Sequence, residues 1–281
     1  MGVPVTSSPP DVLVPAADGE RTRARPTDRK PPRGARRAAY WISPIALLTI
    51  WQLLSGTGAV SSQKLPPLNV IWRAGVEVAR NGQLGDGLAV SLRRMLIGFV
   101  VGAAVAAVLG VAAGLLRWGD VVVDPLLQMV RNVPLFGLIP LFILWFGIGE
   151  LPKEVLIALA AALPIYVNVH AGIREADPLL VEATTVLGYG RWQRLRHVVL
   201  PSAVPLTLVG VRLGVASAWL SLVVAEQINA DSGIGFMINN ARDFLRTDIV
   251  FVGLLLYAFV GLAMDTVVRL IERRLLRWRA S

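Results

Sequence analysis

Apolar positions in this chain gather into long uncharged runs separated by short charged stretches. Residues 95–116 contain no charged side chain, and neither do residues 155–173. At a rise of about 1.5 Å per residue, runs of roughly 20 residues cross a hydrocarbon layer about 30 Å thick as helices. Read this way, hydropathy predicts six spans, at 42–60, 92–116, 124–147, 154–173, 203–226 and 249–270. The expected fold is therefore all-α and polytopic. Residues 65–87 are amphipathic and rich in turn formers, which places them outside the bilayer or along its surface. Within the second span Gly98, Gly102, Ala106, Gly110 and Gly114 recur every fourth residue. That spacing lines them along one ridge, where missing side chains let a neighbouring helix come close. Gly210 and Gly214 repeat the pattern in the fifth span.

Composition agrees with a membrane protein. Of 281 residues, 54% are hydrophobic and 17% charged, against about 25% charged in an ordinary soluble domain. Lys and Arg outnumber Asp and Glu by 28 to 19. The excess falls at span ends and in the tails rather than on an aromatic-studded face, so it points to membrane orientation and not to nucleic acid. Residues 1–39 are basic, proline-rich and without apolar periodicity, which predicts a disordered cytosolic tail before a six-helix membrane domain at 40–281. A cleaved signal peptide does not fit five further apolar spans. With the amino terminus in the cytosol, more than half of the Lys and Arg lie on that side, in residues 1–40, near Arg117, in 174–200 and at the carboxyl end. Both termini are then cytosolic. Arg93 and Arg94 run against this rule and are expected to snorkel to the interface. Trp41, Trp51 and Trp118 are expected in the interfacial aromatic belt.

Catalytic signatures are missing. No Lys follows a Gly, so there is no phosphate-binding P-loop, and no G-x-S-x-G elbow occurs. Cysteine is absent, and His170 and His197 have no ligand-like neighbours, so no metal site is expected. The chain reads as a non-enzyme that needs no cofactor of its own.

The connection between the fourth and fifth spans, 174–202, is long for a helix linker, and holds EATTVLGYGRWQRLRHVVLP. A short helix is expected over 179–187, where small Ala183 and Thr184 permit close docking into a partner. Gly188 then supplies a turn with positive φ. Trp192, Leu195 and Val199 follow at helical spacing, and Pro201 is expected to end the segment before the fifth span. Glu182, Ala183, Gly188, Leu200 and Pro201 follow the pattern E-A-A-x-x-x-G, nine residues, I-x-L-P, with Thr184 and Val198 as the departures. This pattern resembles the coupling loop of permease subunits of bacterial ATP-binding cassette importers, of type I architecture. The runs at 131–150 and 231–245 are similar to those of the sulfonate, taurine and nitrate subgroup, and to aliphatic sulfonate permeases above all.

The resemblance implies a homodimeric pore in the cytoplasmic membrane, driven by a separate cytosolic ATPase that binds the ATP, and supplied by an extracytoplasmic binding protein. It assigns ATPase coupling to Glu182, Ala183, Thr184, Gly188, Trp192, Leu195, Leu200 and Pro201. For the substrate pathway the candidates are Arg131, Asn132, Asn168, Arg212, Ser217 and Trp219. Arg131 and Arg212 either attract an anion or pair with acids such as Asp124, Glu226 or Asp265. Nitrate or taurine is the alternative substrate. A secondary transporter or channel is the alternative of another class, for which inverted repeats or chains of intramembrane acids are expected and not evident.

Overall fold

The computed structural model describes residues 33–58 and 60–276. The side chains of Trp41, Trp118 and Asp124 lie outside the described residues, as does most of the segment read as a tail. Every described element is helical: α1 (Arg33–Gly56), α2 (Leu68–Arg80), α3 (Gln83–Leu115), α4 (Arg117–Asn132), α5 (Ile139–Phe146), α6 (Glu150–Arg174), α7 (Pro178–Val186), α8 (Arg191–Arg194), α9 (Leu200–Asn229), α10 (Ile234–Asp243) and α11 (Thr247–Leu275). By contact the chain divides into residues 1–49 and 50–281. Helix α1 thus begins inside the segment read as a tail.

The glycine ridge of α3 does what its spacing predicts. A Cβ added at Gly98 would lie 2.7 Å from the Ile157 Cβ, one at Gly110 2.9 Å from the Val169 Cβ, and one at Gly114 2.7 Å from the Ile173 Cβ. All three partners are on α6. Gly210 and Gly214 of α9 also press on α6, meeting the Asn168 Cβ and the Ile165 Cδ1, each at 2.7 Å. Helix α6 is accordingly the centre: 56% of its apolar window is buried, against 17% for α11. In lipid, where apolar faces gain little from meeting one another, such close backbone approach is a main source of helix association.

Four described helices are long and apolar enough to cross a membrane, or five when a broken pair is taken as one. The predicted third span is that pair. Pro125–Asn132 and Leu135–Phe146 meet at 87°, because Pro134 and a 3₁₀ turn at Leu135–Leu138 interrupt the helix. A second difference lies in 227–248, the connection between the predicted fifth and sixth spans. It contains α10, whose Ile234, Met237, Ile238 and Ala241 are buried. Trp51 is not simply a belt residue either. Its indole donates to the Pro66 carbonyl at 3.0 Å and meets Phe251 edge-on at 5.1 Å.

Candidate functional site

Two regions carry the expected chemistry: the connection between α6 and α9, and a cavity beside α6. In the connection, Asp177 caps α7 by accepting from the Leu179 N–H at 2.8 Å, and Pro178 occupies the first turn. The helix ends as expected. The Gly188 N–H donates to the Thr185 carbonyl and the Tyr189 N–H to that of Thr184, with Gly188 at φ +81°. Arg194 donates to the Thr185 hydroxyl at 2.7 Å, pinning α8 to α7. Leu179, Val186, Leu187 and Trp192 are each more than 70% exposed. So many bare apolar side chains beside Arg191, Arg194 and Arg196 form a surface suited to a protein partner.

Pro201 does not end the segment. It sits at the start of α9, inside one helical run, Arg191–Ile228. A π-helical turn at Leu195–Val199 explains why, since there the Leu200 N–H reaches back to the Leu195 carbonyl. The wider turn makes room for a proline ring that would clash in a regular helix. Leu195 is half-buried in this turn while Trp192 stays exposed, so the two do not share one uniform face.

The cavity, about 400 Å³, is lined by Arg131 from α4, by Ala160, Pro164 and Asn168 from α6, and by Ser217 and Ser221 from α9. Pro164 has no N–H, so the Ala160 carbonyl loses its regular helix partner at this wall. The Asn168 amide donates to the Pro164 carbonyl at 2.8 Å. Arg131 forms no ion pair among the described residues, whereas the Arg212 Nε lies 3.3 Å from the Asp265 Oδ1 and its Nη1 3.9 Å from Glu272. Arg212 and Trp219 line a separate cavity of about 260 Å³. Trp219 is buried and donates to the Tyr257 carbonyl at 3.2 Å. Asn132, at the end of α4, does not line the cavity of Arg131. Three of the six pathway candidates therefore come together.

A third cluster was not expected. Arg94 does not snorkel, because it is wholly buried and bound to Glu150 and Glu226. Glu226 consequently pairs with neither Arg131 nor Arg212. A signal was present: Arg94 lies four residues before Gly98, which puts it on the ridge that faces α6, while Arg93 is exposed.

The family described as binding-protein-dependent transport system inner membrane component matches residues 95–277. The chain belongs to this family. It is 41% identical over 265 residues to a protein of Bacillus subtilis (strain 168) named as aliphatic sulfonates transport permease SsuC, covering 93% of this chain and 95% of that one. The Escherichia coli (strain K12) protein of the same name is 44% identical over 87% of this chain and 93% of its own. The taurine transport system permease protein TauC of the same strain is 34% identical, over 84% and 87%. Among solved structures, an amino acid ABC transporter crystallised with histidines shares the fold at a TM-score of 0.58 and 18% identity, covering 71% of this chain and 97% of that one. The chain is thus an all-α, multi-pass permease component of the inner membrane.

Proposed function

We propose that two copies of this chain form the pore of an importer for aliphatic sulfonates, powered by a separate cytosolic ATPase and loaded by an extracytoplasmic binding protein. The observation that carries this reading is the whole-chain similarity to two permeases named for sulfonates. The cavity of Arg131 fits it chemically. A sulfonate is permanently anionic, and the Arg131 guanidinium, with no carboxylate partner among the described residues, offers it an uncompensated positive charge. Asn168 and Ser217 add hydrogen-bonding groups to an otherwise apolar wall suited to an alkyl chain. Arg212 is structural in this reading. The exposed surface of α7 and α8, with Glu182 to Gly188 at its centre, docks on the ATPase, and both termini are cytosolic. ATP is bound by that ATPase, and this chain holds no cofactor.

Vesicles carrying the assembled importer test this by comparing uptake of ethanesulfonate, taurine and nitrate. Ethanesulfonate uptake should fall about tenfold in Arg131→Gln, on the order of 1.4 kcal/mol. In Arg212→Gln it should hold within about twofold, because Asp265 keeps Arg269 as a partner. Uptake of nitrate without sulfonate would overturn the substrate. Equal losses in uptake and complex yield for Arg131→Gln would overturn its place in the pathway.

A further inference from the structure

Helices α6 and α9 bracket the docking connection: α6 ends at Arg174 just before it and α9 begins at Leu200 just after it. Their far ends meet at Arg94 of α3. All five N–H groups of the Arg94 guanidinium are engaged. Nε and Nη2 hold the Glu150 carboxylate at the first residue of α6, the Nη2 bond being 2.6 Å. Nη1 donates to Glu226, near the end of α9, at 2.7 Å. The remaining two bonds run to the Ser232 carbonyl and hydroxyl, both at 2.7 Å. Glu226 accepts in addition from the Ser91 hydroxyl at 2.7 Å, the Tyr257 hydroxyl at 2.8 Å and the Gly235 N–H at 3.0 Å. Lys153 of α6 donates to Glu150 at 3.2 Å.

This cluster also accounts for the DSGIG run at 231–235. Gly233 adopts φ +98°, and a Cβ there would lie 2.7 Å from the Arg94 Nη1 and 3.0 Å from the Ser91 hydroxyl. Only a residue without a side chain lets the backbone come near enough to bind Arg94. The same segment reaches the surface, since Asp231, Ser232 and Gly233 line an open cavity of about 630 Å³. A buried ion pair is a poor source of stability, and the glycine ridges already hold α3, α6 and α9 together. What the ridges do not supply is a polar link between the surface segment and the ends of both helices.

We propose that Arg94 is a positioning residue that joins segment 231–235 to α6 and α9, so that a partner pressing on that segment moves both helices, and the docking connection between them, as one lever. This rests on the function proposed above, with the binding protein as that partner. The coupling is a bias on a two-state rearrangement, carried by the fork geometry of the guanidinium.

The test uses the whole importer in vesicles, measuring ATP hydrolysis with and without ethanesulfonate-loaded binding protein, next to complex yield. Glu150→Gln leaves Arg94 paired with Glu226, and Arg94→Lys keeps the charge but not the fork. Both should assemble and hydrolyse ATP within about twofold of wild type, while stimulation by the binding protein falls at least about fivefold. Stimulation within about twofold of wild type in both variants would overturn the proposal. So would losses that track complex yield, which mark a merely structural cluster. Failure of the wild-type complex to respond to the binding protein would overturn the proposed function itself.

Discussion

Replacing Gly102 by Ala tests the close approach of α3 to α6. The added Cβ would run into the carbonyl oxygen of Ala158 on α6 and lie 2.8 Å from its carbonyl carbon and 2.9 Å from its Cα. Carbon atoms pack best at about 3.5–4.0 Å, so the two helices would have to part by roughly 0.7–1 Å. A gap of that size forfeits a quarter to a half of each dispersion contact across it. The obstacle is backbone, which cannot turn aside as a side chain can, so the cost belongs near the upper end of the roughly 1–3 kcal/mol typical of overpacking. Alanine returns up to about 1 kcal/mol through its higher helix propensity, which leaves a net loss of about 2 kcal/mol. Gly85, on the same helix, provides the control, since a Cβ there meets nothing within 4 Å. Gly85→Ala should be neutral or stabilising by up to about 1 kcal/mol. Reversible unfolding in mixed detergent micelles, followed by tryptophan fluorescence, should therefore separate the two variants by about 2–3 kcal/mol. Equal stability of Gly102→Ala and Gly85→Ala would refute the close packing of α3 on α6.

The turn after α7 should respond to backbone conformation alone, because a Cβ at Gly188 meets nothing within 4 Å. Gly188→Val should cost about 1–2 kcal/mol locally and abolish uptake with normal membrane abundance, whereas Gly188→Asn, which tolerates positive φ, should keep most of it. Co-purification of the ATPase reports the same loss, and unchanged uptake in Gly188→Val would remove this turn from coupling. Because the chain has no native cysteine, single cysteines at exposed Thr185, Ser62 and Asn240 fix the orientation. Thr185→Cys should react with an impermeant maleimide only from the cytosolic side and the other two only from outside. The reverse pattern would invert the topology.

Where local spacing decides the structure, the sequence was a good guide. The short helix of the connection was expected over 179–187 and spans Pro178–Val186, with its turn at Gly188. The four-residue glycine ridge was legible because helix periodicity alone puts those positions on one face. The third span was not, because hydropathy measures how apolar a segment is and not whether it is straight. Residues 125–146 pass as one apolar run although a right-angled break between 132 and 135 divides them. Pro201 misled for a related reason, since a proline marks a helix end only where a wider turn does not absorb it. Arg94 was misread by pairing it with its neighbour Arg93. The two side chains point about 100° apart on a helix, one outward and one along the ridge. The partners of Arg94 come from 56 and 132 residues further along the chain, and no local pattern names them.

The contrast between Arg131 and Arg212 follows from where each sits on its helix. Arg212 lies in the middle of α9, whose carbonyls there are bonded within the helix, so its charge needs a carboxylate and finds Asp265. Arg131 lies in the last turn of α4, where the broken third span leaves carbonyl groups without helical partners. A helix carboxyl end acts as about half a negative charge, which favours a cation there without neutralising it. The remaining positive potential faces the cavity shared with Asn168 and Ser217. The break in the third span thus has a chemical consequence beyond bending the chain. It lets a guanidinium stand at the cavity wall with no acid paired to it among the described residues. In the function proposed above, a site built this way would hold an anion loosely, as a path that must release it requires.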